Sequence, residues 1–418
     1  MSLSTIFPFF SVEIGFGADA VGGSYFVLDD PAKGLLDGAT YLLAPTDVFV
    51  DVTEFVSSIG TDRGRARELD EYNTGTVTVV LNDTDRTFDP SHSGSPYAGS
   101  ITPMRRIKIL WNNEYVFQGW VEDWSVSYEP GDTMSRVTLE CVDGFAILAN
   151  QQLDEIAPSF AGDLPGPRIE RVLDSTEVNF PATRAIDDGN STLGATTFGM
   201  NALTYIQACA KAEGGYLFVA ADGTLTFRNR QATLNADAAV VFSDDPTSGI
   251  PYRNLTQRSA ADLLFTRVTG ASETTSVQVD AVDSDAYDDF LIRTLPLGTL
   301  FTADDSQTQA LVDSYLERFS TVEQRFQSAT INMARLSLSE VATIMALDLS
   351  DIVTVERMPL NTGSTISRLS IIDGIKHRIS ASGASWMVEL SFANADTRSF
   401  LTLDDAVFGV LDANRVTF

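Results

Sequence analysis

Apolar residues recur at every second position in this chain, in short runs closed by turn residues. Residues 76–81 alternate in this way, as do 107–111 and 137–141. Such a period turns successive side chains to opposite faces of a sheet, so each run is a strand with one buried face. The run 115–128 is longer and aromatic, with Gly119 inside it, which predicts a bulge or bend. Tyr128-Glu129-Pro130-Gly131-Asp132 is a turn signal between two strands. Residues 46–150 therefore read as one antiparallel β domain, behind an N-terminal strand and insertion over 1–45.

The pattern changes after residue 150. A Pro/Gly-rich loop at 158–167 marks a boundary, and 168–174 is helix-like. A firmer helix spans 201–213: Asn201 can cap it, Leu203, Ile206 and Ala210 share a face, and Gly214-Gly215 stops it. A hairpin joins 216–219 to 224–228 across Asp222-Gly223. This is a small α/β insert, 151–255. β character returns over 256–400, with a helix at 306–319 and strands at 330–336, 352–357, 369–380 and 386–392. Residues 401–418 form a C-terminal tail.

The later strands echo the first domain in order. Ile107 to Trp111 matches Asp351 to Val355, and Phe117 to Glu122 matches Ile372 to His377, which pairs Gly119 with Gly374. Each unit continues into a turn holding Gly131 or Gly383 and ends on an apolar strand, and each is preceded by another (76–81, 330–336). The expected fold is mainly β, with two similar antiparallel barrel or sandwich domains and a smaller α/β insert. Duplication supplies quasi-equivalent interfaces, so three copies can close a six-membered ring.

Charge narrows the function. The net charge is −29, and the acidity is dispersed without a long run of like charge. Such a surface repels nucleic acid and anionic membrane, but it would let DNA slide past without sticking. No apolar run approaches the ~20 residues of a membrane span, so no membrane anchoring is expected. Met1-Ser2-Leu3-Ser4 lacks the basic start of a signal peptide, which predicts synthesis in a cytoplasm. Cys141 and Cys209 lie in apolar patterns and read as buried thiols.

Nothing in the chain assembles into catalytic chemistry. His92 and His377 are the only histidines and lie far apart, against a His-based triad or zinc site. Gly15-Phe16-Gly17 is followed by Ala20 where a dinucleotide loop needs its third glycine. Carboxylates are too numerous for any pair of them to signal a glycosidase. Asp83, Asp85 and Asp89 could ligate calcium, but their loop lacks the Gly and terminal Glu of an EF-hand, and a salt-bridged turn fits better. No enzyme activity, cofactor or metal is expected.

The segment 62–90 is the most individual. Arg63, Arg65 and Arg67 feed the strand of Val77, Val79 and Leu81, which ends in Asn82, Asp83, Asp85, Arg86 and Asp89. Guanidinium groups suit bidentate pairing with carboxylates, so Arg63, Arg65, Arg67, Asp83, Asp85, Arg86 and Asp89 are candidate subunit-interface residues. The run Gly64-Arg65, Glu68-Leu69-Asp70, Gly75-Thr76, Leu81-Asn82, Asp85-Arg86 and Phe88-Asp89-Pro90 resembles minor tail proteins of long-tailed bacteriophages, largely of actinobacteria and similar hosts. Ser95-Pro96-Tyr97, Arg105-Arg106-Ile107, Phe117-Gln118-Gly119, Cys141-Val142-Asp143, Gly214-Gly215 and Leu403-Asp404-Asp405 extend the likeness.

The domain order is similar to that of baseplate hub proteins at the tail tip. That resemblance implies two tail-tube-like domains per chain and a trimeric, pseudo-sixfold ring closing the tail tube. It also implies contacts with the distal tail protein, the tape measure protein and other minor tail or fibre proteins. The chain stops at Phe418, so a fused lysin is not expected. Two alternatives stand beside the hub. One is a carbohydrate- or receptor-binding module stacking Trp111, Trp120 and Trp124 on sugars. The other is a sixfold distal tail ring, which would need only one tube-like domain per chain.

Overall fold

The computed structural model describes residues 2–16, 48–128, 135–154, 161–196, 199–234, 236–245, 247–258, 261–359 and 363–395. Most of the 15–46 insertion, the turn at 129–132, part of the 158–167 loop and the 401–418 tail lie outside them.

The chain opens with a short helix, α1 (Leu3–Ile6), and then builds the first half from seven strands. These are β1 (Phe10–Phe16), β2 (Val48–Asp51), β3 (Val56–Gly64), β4 (Asn73–Asp83), β5 (Arg105–Trp111), β6 (Glu114–Ser127) and β7 (Ser135–Val142). In space they lie β2-β1-β5-β6-β7-β4-β3, every pair antiparallel. Alternation sends Val77, Val79 and Leu81 of β4 and Ile107, Ile109 and Trp111 of β5 into one core.

The insert follows: α2 (Gly144–Ala149), α3 (Pro165–Leu173), β8 (Arg184–Ile186), α4 (Ala202–Glu213), β9 (Tyr216–Val219) and β10 (Leu225–Arg228). Its strands form a separate sheet, β8-β10-β9. The Asn201 side chain accepts the Thr204 N–H at 2.8 Å, and Gly214 leaves α4 at a φ of 70°. Both ends of that helix are therefore where the sequence places them.

The second half holds β11 (Val241–Ser243), β12 (Ile250–Pro251), β13 (Asn254–Arg258), β14 (Arg267–Ser272), β15 (Gln278–Val282), α5 (Ser284–Phe290), β16 (Thr294–Leu300) and α6 (Asp305–Phe319). It continues through β17 (Arg325–Asn332), α7 (Leu338–Met345), β18 (Ile352–Arg357), β19 (Ile366–Ser380) and β20 (Ser385–Asn394). Seven of these strands lie β12-β11-β18-β19-β20-β17-β13. That is the spatial order of the first half, except that β11 runs parallel to β12 and β18 where β1 is antiparallel to β2 and β5.

The repeat extends to individual hydrogen bonds. Met104 (φ 65°) and Ser350 (φ 66°) each precede the first strand of the meander in a left-handed conformation. The Met104 N–H donates to the Val121 carbonyl at 2.7 Å, and the Ser350 N–H donates to the Ile372 carbonyl at 2.8 Å. The next residue is a bulge in both strands, Glu122 in β6 and Asp373 in β19.

This register corrects the sequence match. Gly119 faces Ile107 where the second half places Ser370 against Val353, and the counterpart of Gly374 is Asp123. The glycines coincide in the text but not in space, because the bulges set the phase. The strand expected at 330–336 ends at Asn332 and gives way to a 3-10 turn, Met333–Arg335.

Two further features differ from the expected division. β11 and β12 belong to the strand order of the second half although they precede residue 256, and both are too short to show a period. Between β13 and β17, the strands β15-β14-β16 and helix α6 make an α/β unit with its own core of Val268, Leu297, Leu300, Leu311 and Val312.

Candidate assembly interface

β4 takes one edge of β3, and the other edge lies along the end of β19, from Gly374 against Gly64 to Ser380 against Ser58. Edge strands recruit partners because their N–H and C=O groups are otherwise unpaired. Here the partner is the other half of the same chain, and the two halves become one 14-stranded sheet. Ile59 and Ile379 face each other inward, each 2% exposed. On the outer face Lys376 Nζ lies 2.8 Å from Asp62 Oδ2. Gly64 has a φ of 101°, and a Cβ there would sit 2.2 Å from the Asp373 carbonyl oxygen. Only glycine lets the two backbones come so close.

The arginine block sits at this joint. Arg63 is 4% exposed and donates from Nη1 to Asp348 Oδ1 at 2.8 Å. Arg65 donates from Nη2 to Asp373 Oδ1 at 3.0 Å and lies over the Tyr72 ring. The Tyr72 hydroxyl donates to the same carboxylate oxygen at 3.1 Å. Burial pushes the Asp373 carboxyl upward, and the Arg65 charge opposes it. Glu68, also buried, ion-pairs with Arg318 at 2.5 Å and accepts a hydrogen bond from Arg325 at 2.6 Å. Arg63 and Arg65 thus bind the first half to the second within one chain, while Arg67 is exposed.

Their partners leave no mark in the local sequence. Asp348, Asp373, Arg318 and Arg325 lie hundreds of residues away, and pairing at that range leaves no local period. One signal was available: Asp373 is a charged residue inside an apolar strand, which demands a buried partner.

The acidic turn is self-contained at two of its positions. Buried Asp83 accepts the N–H groups of Thr87 at 2.8 Å and Phe88 at 2.9 Å. Buried Asp89 accepts Arg86 Nε at 2.8 Å, the Ser91 N–H at 2.8 Å and the Tyr128 hydroxyl. Asp85 is exposed, as is Arg86 in large part. Among the described residues no group of His, Cys, Asp or Glu could hold a metal ion.

His377, inward on β19 opposite Thr61, accepts the Trp386 indole N–H on Nδ1 at 3.3 Å. Burial, with the Arg63 guanidinium nearby, pushes its imidazole down to about 3. Trp111, Trp120 and Trp124 are 4%, 6% and 9% exposed. Their place is the core, which leaves no face for stacking on sugars.

The fold has known relatives in space. The 43 kDa tail protein of prophage MuSo2 from Shewanella oneidensis superimposes with a TM-score of 0.58 at 14% identity, over 83% of this chain and 96% of that one. The tail protein from Neisseria meningitidis gives 0.54 at 12%, over 81% and 96%. The fold is that of phage tail proteins. A PdpA-VgrG complex of Francisella matches at 0.50 and 7% identity, over 93% of this chain and 53% of that one. No family model matches the sequence, and no curated protein matches it.

Proposed function

We propose that this chain is a baseplate hub at a phage tail tip, acting without turnover. Three copies form a pseudo-sixfold ring that closes the distal end of the tail tube and passes DNA through an acidic lumen. The distal tail protein and tape measure protein bind one side, and other minor tail or fibre proteins, receptor-binding ones among them, bind the other. DNA meets the lumen without specific binding. The observation that carries this reading is the doubled meander, joined edge to strand within one chain. A ring needs the same joint to recur, and a chain that already makes it once needs half as many subunits. The doubling also argues against a sixfold distal ring, where a single meander would serve. The exposed members of the sequence block, Arg67, Asp85 and Arg86, remain candidates for contact between copies. Cryo-electron microscopy of whole tails tests the reading: three copies at the tip are expected, and six copies or a lateral fibre position would refute it.

A further inference from the structure

We infer that the free edge of β13 in one copy pairs with the second half of β6 in the next, repeating between chains the joint that β3 and β19 make within one. The inference rests on the ring reading above and names the residues of its second interface. Among the described residues β13 pairs only with β17, and beyond Val121 β6 pairs only with β7. In the fold these are the counterparts of the two surfaces that do meet, β3 and the end of β19.

The shared bulge fixes the register. Asp123 stands for Gly374, so Trp124, Val126 and Tyr128 stand for Ile375, His377 and Ile379. Ile59 faces Val79 on β4 as Leu255 faces Ala329 on β17, so Leu255 stands for Ile59. Ile59 opposite Ile379 then becomes Leu255 opposite Tyr128, and Thr256 falls opposite Ser127. The exposures agree. Tyr128 is 57% exposed and Leu255 is half-buried, where their counterparts in the internal joint are fully covered.

Charge decides which edge meets which strand. In the internal joint Asp62 on β3 meets Lys376 on β19. In the second joint Arg258 on β13 falls beside Ser125 and diagonal to Asp123 on β6, with Glu122 adjacent, all of them exposed. The polarity is reversed. A wrong pairing would set Asp62 diagonal to Asp123 or Arg258 opposite Lys376, and like charges across a ladder repel. The two joints therefore reject each other's partners, and the halves must alternate around the ring.

Disulfide trapping on the full chain tests this. Antiparallel neighbours lie within disulfide reach, and both native cysteines are buried. Ser127→Cys and Thr256→Cys chains, mixed and oxidised, are expected to give a two-chain species that neither gives alone. The double variant is expected to close at three chains. Arg258→Glu should lower the trapped fraction roughly fivefold, and adding Asp123→Arg should restore it. Mixtures that cross-link no better than single variants overturn the joint. If light scattering then still finds trimers, the ring reading survives and only this interface is wrong. Trapping that closes at another number keeps the joint and overturns the three-copy hub.

Discussion

Gly64→Ala should loosen the two halves from each other without damaging either one. The added methyl would lie 2.2 Å from the Asp373 carbonyl oxygen, 2.7 Å from Gly374 Cα and 2.9 Å from Leu349 Cδ2. Two of these are backbone atoms that cannot rotate away. An L residue at this φ costs roughly 1–2 kcal/mol, and forcing β3 off β19 adds about 1–3 kcal/mol of overpacking. The sum, roughly 2–5 kcal/mol, is a large share of a typical ~5–15 kcal/mol stability. Gly60 is the control: it lies on the same strand, faces Arg378, and has nothing within 4 Å of its Cβ position. Gly60→Ala should change stability by less than about 0.5 kcal/mol. Urea unfolding read by circular dichroism gives the magnitudes. Hydrogen exchange gives the place: β3 and the end of β19 should lose protection, while β5 and β18 keep theirs. Equal effects at Gly60 and Gly64, or protection lost evenly over the sheet, would refute the argument.

Glu68→Ala leaves Arg318 and Arg325 without their shared carboxylate and should cost about 3–5 kcal/mol, whereas exposed Arg67→Ala should cost less than about 0.5 kcal/mol; similar urea midpoints for the two would exclude the clamp. The His377 contribution to stability should fall as pH drops below about 6.5, where an unfolded histidine protonates, because folded His377 stays neutral down to about 3, while buried Asp143, raised to about 7, contributes in the opposite sense. The sign follows from the extra proton bound by the unfolded chain, and the slope is about 1.4 kcal/mol per pH unit until the folded group titrates. His377→Gln should shift the pH slope of the urea-derived stability between pH 6.5 and 5 by that amount; an unchanged slope counts against it. Asp83→Ala strands the N–H groups of Thr87 and Phe88 and should cost about 1–3 kcal/mol. Faster hydrogen exchange at those two amides is the expected readout, and unaltered exchange there would rule out the capping role.

What the sequence disclosed follows from the range of each interaction. Strand period, the Asn201 cap, the Gly214 stop and the Asp222-Gly223 hairpin are local, and each stands where residue chemistry puts it. The order of the repeated strands was legible because alternation survives divergence. Its register was not, since bulges at Glu122 and Asp373 shift phase without changing composition. In the α/β unit between β13 and β17 the helix lies where 306–319 places it, as Asp305–Phe319, but the three strands leave no such trace, for a related reason. Its strands are exposed on one side and include Pro296 and Gly298, so they mimic loop. The arginine block has the sequence of a surface, because Arg is seldom buried alone. Its acids lie in the other half, and only the folded chain brings them together.

That internal use of the block distinguishes the two halves at their equivalent edges. In the repeated strand order β3 and β13 are equivalent edges, and an edge that accepts either strand could close a chain on itself in more than one way. The Gly64–Tyr72 loop removes that freedom on one side. It holds the β19 bulge through Arg65 and Tyr72 and the second half through Glu68. Among the described residues no equivalent clamp occupies the outer edge of β13, where Arg258 ion-pairs with its near neighbour Asp262 at 3.7 Å. A permanent joint benefits from buried ion pairs that fix its register, because breaking one is costly. A joint made between copies must first exist as two solvated surfaces, and buried charge there would be left unpaired. The clamped edge therefore belongs inside the chain and the bare edge between chains, which is the assignment that disulfide trapping at Ser127 and Thr256 decides.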